Sequence, residues 1–219
     1  MNRSSPVKRT LLMHQAHKRI GVPAAAFHPY APADGAIENT VRVRMVSDPR
    51  DRFASDALDA FEPIVARQGH LEYERAEFRA AFQSECVGVD CAVVFARGIH
   101  VLARGVDFEP DGVMEDGGDG AGEAAVPERI VPAAPWHPVL DRICSFEAHP
   151  PSRRFAAIPR SAIGLLIAKH GTAEVGGRFV AWANESPNRQ FHTLLCSPDD
   201  FRQPDFVQLM LNAVEWAGG

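Results

Sequence analysis

The chain has 219 residues, 46% of them hydrophobic, and a formal net charge of -5. That length suits one domain of generous size, and the apolar content is too high for a disordered chain. The mildly acidic balance implies no basic face, so nucleic acid is excluded as an expected partner.

Residues 1–18 are basic but hold no apolar stretch of about seven or more that could form a signal core. A strand-like run at 10–13 (TLLM) is followed by His14-Gln15-Ala16-His17. On a helix those histidines would stand at i and i+3, a spacing that suits metal ligands. With no third ligand in view, a solvated loop without metal is expected. Residues 15–39 carry Gly21, Pro23, Pro29, Pro32 and Gly35. These oppose the helix that a parallel crossover normally places there, so residues 1–40 are atypical.

Further strands are expected at 41–46 (VRVRMV), 64–66, 91–96 (CAVVFA), 164–168, 178–183 and 191–196. Most are continuous in apolar residues, the pattern of strands covered on both faces by helices; 41–46 alternates instead. Phe78 and Phe82, four apart with Glu74, Arg75, Glu77 and Arg79 flanking, predict a helix over 72–84. Residues 105–127 read as an acidic, glycine-rich surface loop. Within it Asp107 to Gly112 imitates a calcium loop, but position twelve is Gly118 where a bidentate glutamate is needed. Pro204 suits a first helical position, and Phe206, Val207, Met210, Leu211 and Val214 follow at helical spacing until Gly218. No run approaches the ~18 apolar residues of a membrane helix. Cys86, Cys91, Cys144 and Cys196 form no C-x-x-C pair, and are expected as reduced core thiols in a cytoplasmic protein.

Val180-Ala181-Trp182, Asp200-Phe201, Pro204, Phe206, Leu211-Asn212-Ala213 and Trp216 occur in an order that resembles the ThuA-like family, named for trehalose utilisation. Trp136-His137-Pro138-Val139-Leu140 is similar to the H-P segment of that family, which lies within the glutamine-amidotransferase-like superfamily. The resemblance implies a single domain over 1–219 with an α/β, flavodoxin-like fold, a mostly parallel sheet with helices on both faces. It also implies a role in carbohydrate metabolism with a small sugar or polyol as ligand; no cofactor is expected, and a homo-oligomer is possible.

Two departures bear on chemistry. An amidotransferase places a cysteine on the elbow after the central strand, here 96–100, which holds none. Cys91 lies about 16 Å away along the strand. Where the family shows G-H before its D-F turn, this chain has Cys196-Ser197, and a serine cannot relay a proton near neutral pH as an imidazole can. Family chemistry that uses that histidine is therefore lost or moved, and catalysis is left open beside a non-catalytic binding or interaction module. The residues expected to bind a ligand, where strand C-termini meet, are His14, His17, Arg97, His100, Ser197 and Asp199. Trp182 and Trp216 are expected as core aromatics, and His137, before Pro138, as a residue that orients its segment.

Overall fold

A computed structural model describes residues 40–77, 88–106, 114–115, 127–151, 154–155, 158–169 and 177–219. The chain divides into Met1–Glu38 and Asn39–Gly219, and every described element belongs to the second unit.

Strand β1 (Val41–Ser47) leads into helix α1 (Arg52–Val65), which returns the chain to β2 (Leu71–Glu77), parallel to β1. The Asp51 side chain caps α1 by accepting from Phe53 N–H. Ala54, Ala57, Leu58, Phe61 and Val65 form its buried stripe at helical spacing. Strand β3 (Cys91–Phe95) joins the other side of β1, also parallel.

The pattern then changes. Ala96 N–H donates to Gly98 O at 2.9 Å, Arg97 takes a left-handed φ of 55°, and β4 (Ile99–Ala103) runs straight back beside β3. β6 (Glu128–Pro132), β7 (Phe146–Ala148), β9 (Ile163–Lys169), β10 (Arg178–Asn184) and β11 (Gln190–Thr193) complete one sheet, while β5 (Met114–Glu115) and β8 (Arg154–Phe155) pair separately. The order is β2-β1-β3-β4-β11-β10-β9-β6-β7. Within it only the β1–β2 and β1–β3 pairings are parallel. Two short 3-10 turns, Pro138–Leu140 and Pro198–Arg202, precede the closing helix α2 (Pro204–Gly218).

The flavodoxin-like, mostly parallel sheet implied by the resemblance is thus overturned. The architecture is a nine-stranded mixed sheet, mostly antiparallel, with two α-helices among the described residues. The physical cause is the tight turn after β3, which leaves no chain for a crossover helix and forces antiparallel pairing. Continuous apolar runs did not discriminate, because strands of a mixed sheet buried on both faces read the same way.

Two local expectations also fail. Residues 64 and 65 close α1 instead of forming a strand, and residues 72–77 are the charged strand β2 rather than a helix. The run at 10–13, residues 78–84 and most of 105–127 lie outside the described residues. Residues 41–46, 91–95, 164–168 and 178–183 fall within strands, and α2 begins at Pro204 as its spacing predicts.

Both helices share one core with the first face of the sheet: Leu58, Phe61, Phe206 and Met210 pack with Met45, Val93, Phe95 and Val101. Val46, Ala92, Val94 and Leu102, which alternate with them, form a separate buried cluster on the second face. Among the described residues no helix is long and apolar enough to cross a membrane.

Candidate functional site at the strand ends

β1, β3 and β11 all point the same way, since β4 is antiparallel to both β3 and β11. Their C-terminal ends therefore share one edge. At β1 and β3 this edge is charged. Asp48 N–H donates to Phe95 O at 2.8 Å, and Asp51 accepts from Arg97 N–H at 2.9 Å. Arg50 grips both oxygens of the buried Asp48, with its Nη2 at 2.8 Å. That grip holds the Asp48 carboxyl below its ordinary value against the opposing effect of burial, and the charge of Arg97 adds to it.

At the end of β11 the chain forms the Pro198–Arg202 turn, and here the chemistry is different. Ser197 Oγ accepts from Asp199 N–H, while Ser197 N–H donates to Asp200 Oδ2 at 3.2 Å, a reciprocal capping box. Asp200 is fully buried. Its Oδ1 accepts from His149 N–H at 3.1 Å, and His149 Nδ1 lies 3.5 Å from the same oxygen without a hydrogen bond to it. Burial raises the Asp200 carboxyl above its ordinary value, while the bonds from His149 and Ser197 pull it back. The His149 side chain is 38% exposed although Nδ1 itself is buried, so its accessible part faces away from the carboxylate. Arg178 fixes the segment behind the ring: its guanidinium donates to Pro151 O at 2.6 Å and Pro150 O at 3.4 Å, and pairs with Glu128.

The structure thus sorts the residues expected from sequence. Arg97 sits in the β3–β4 turn at this edge. Ser197 and Asp199 lie on the β11 turn, but the serine hydroxyl is engaged in capping and Asp199 pairs with Arg202 at 3.1 Å. His100 is fully buried on the second face, where its Nδ1 meets His192 Nδ1 at 2.8 Å and its Nε2 meets Ala96 O at 3.1 Å. Burial lowers its pKa to about 4 against the opposing hydrogen bond to Ala96, and lowers that of His192 well below the ordinary value, with His100 adding repulsion. His14 and His17 lie outside the described residues. His137 does orient its segment: its backbone is extended (φ -75°, ψ 136°) and Nδ1 accepts from Val139 N–H. Trp182 is buried and Trp216 half-buried.

His149 and Asp200 were missed. Asp200 stood in view within the D-F match, but its partner lies 51 residues upstream, and no local spacing joins them.

A polar cleft of about 470 Å³ adjoins this turn in the chain, lined by Arg129, Ser145, Phe146, Glu147 and Gln203. Glu147 precedes His149 by two positions and Gln203 follows Asp200 by three. A second cleft of about 390 Å³, between Asp90, Arg104, Glu185 and Arg189, lies at the opposite ends of β3 and β4. Among the described residues no group of three or more His, Cys, Asp or Glu side chains has metal-holding geometry. No protein-family model matches the chain, and no curated protein matches it.

Proposed function

We propose that this chain binds, and transforms by proton transfer, a small sugar or polyol derivative at the turn after β11. The observation that carries this reading is the half-exposed His149 imidazole against the buried Asp200 carboxylate. Nδ1 and the carboxylate carry no hydrogen bond as they stand, and closing the 3.5 Å between them would favour the tautomer with the proton on Nδ1. Nε2 then keeps a lone pair, the arrangement of an oriented general base. His149 thus brings an imidazole to the turn that carries Ser197 and Asp200. Arg129, Ser145, Glu147 and Gln203 offer hydrogen-bonding groups of both senses, which suits a ligand rich in hydroxyls.

The test is a thermal-shift screen against sugars, sugar acids and polyols, repeated with His149→Ala and Arg129→Ala. The expected result is a ligand-induced rise in Tm for the native protein that both variants lose. Silence across the panel from a cooperatively melting protein overturns the reading.

A second reading, a binding module without catalysis, is favoured by the absence of His149 and Asp200 from the lining of either cleft. Ligand binding that survives His149→Ala, with no turnover of the ligand, selects it.

A further inference from the structure

On the second face of the sheet, cross-strand register builds a compact block of side chains. Trp182 on β10 stands opposite His192 on β11, which stands opposite His100 on β4. One pleat further, Asn184 stands opposite Gln190, which stands opposite Leu102. The indole of Trp182 stacks on the His192 ring, with centroids 4.0 Å apart and planes at 23°, and Phe155 meets the indole edge-on at 6.1 Å.

Half of this block is satisfied from within. Ala96 O accepts from His100 Nε2, so neutral His100 presents the lone pair of Nδ1, to which His192 Nδ1–H donates. The lone pair of His192 Nε2 then faces the Gln190 side-chain amide at 3.3 Å, and a neutral His192 requires the NH2 group there.

The other half is not satisfied. Trp182 is 3% and Asn184 9% exposed. Trp182 Nε1–H and Asn184 Oδ1 are buried and have no hydrogen-bond partner among the described residues. Native proteins rarely leave one such group orphaned, and here two stand two residues apart on one strand face, about 7 Å between their Cα atoms.

We propose that Trp182 and Asn184 form a second binding site, for a hydroxyl group, distinct from the His149 turn. The orphans fix the chemistry of the occupant. Indole N–H only donates and the amide oxygen only accepts, so the partner must accept from one and donate to the other. An ammonium fails at Trp182, and a carboxylate or phosphate fails where the Asn184 amide presents Oδ1, whereas a hydroxyl suits either orientation of that amide. A hydroxyl oxygen meets both demands, carried either by a polyol or by a single internal water.

The experiment follows the indole N–H of Trp182 by 15N NMR, assigned by its loss in Trp182→Phe. Glycerol and myo-inositol are the probes, and Asn184→Leu is the paired variant. A hydrogen-bonded, exchange-protected N–H that shifts with myo-inositol or glycerol, the shift being lost in Asn184→Leu, identifies the polyol as the source. A protected N–H that cross-relaxes with water and ignores both probes identifies the internal water. In either case Trp182→Phe and Asn184→Leu lower Tm by about 2–4 °C or more. A resonance typical of a free indole N–H, with both variants as stable as the native chain or more so, overturns the site. Should a variant fail to fold, the resonance in the native chain decides alone. His149→Ala leaves the Trp182 response intact, so failure here and failure at the β11 turn are separable.

Discussion

His149 meets Asp200 through its backbone as well as its ring, and the two contacts have different consequences when removed. Asp200→Ala deletes the acceptor for both His149 N–H and Ser197 N–H in a buried setting. It is expected to cost about 1–3 kcal/mol in urea denaturation. His149→Ala keeps its backbone bond and removes a half-exposed ring, so its cost is expected below about 1 kcal/mol while ligand response is lost. The buried histidine pair predicts a pH dependence of the fold. His100 has its folded pKa lowered to about 4 from 6.5. Between those values the unfolded chain binds a proton that the native state refuses, so stability falls as pH falls through this window. Above pH 6.5 the stabilisation is complete. Denaturation midpoints measured from pH 7.5 to 4 should drop, and drop less steeply in His100→Leu, which starts from a lower midpoint because His192 loses its partner.

Among the elements, α1 couples the charged edge to the core. Its cap holds Phe53 N–H while the same carboxylate holds Arg97 N–H, and its Phe61 packs on Phe95 and Phe201 at 6.1 and 5.5 Å. Phe61→Ala therefore opens a cavity between a strand, a helix and the Asp200 turn. It should destabilise by about 3–5 kcal/mol in chemical denaturation. This helix was not legible in the sequence, although its apolar spacing was present, because the apolar run at 64–66 read as a strand. Pro63 is tolerated on the exposed side of the last turn. Helix α2 was legible because its start, spacing and end agree. β2 was misread because its charges follow a helical spacing, whereas they are there to serve an outer strand: Arg44 pairs with Glu74, and Arg75 with Asp59 and Glu62. Of the residues expected to bind a ligand, Ser197 and Asp199 lie on the turn after β11, where their side chains cap and pair within the turn itself.

Across the whole molecule, β2 and β7 are the outer strands of the sheet. Glu72, Glu74 and Arg75 are exposed on β2, and such charges discourage pairing with another sheet. Replacing Glu72 and Glu74 together with valine should raise self-association in light scattering without a large loss of folded stability. The mixed topology itself could not be read from residues, because pairing direction is set by the β3–β4 turn, where Arg97 adopts a conformation that glycine more commonly takes. One consequence concerns how the chain is made. β11, the last of the described strands in chain order, is the fifth of nine across the sheet and joins β4 to β10. Until it emerges, the strands on its two sides are separate sheets with open inner edges, so a nascent chain should depend on holding chaperones at least until Thr193 has left the ribosome.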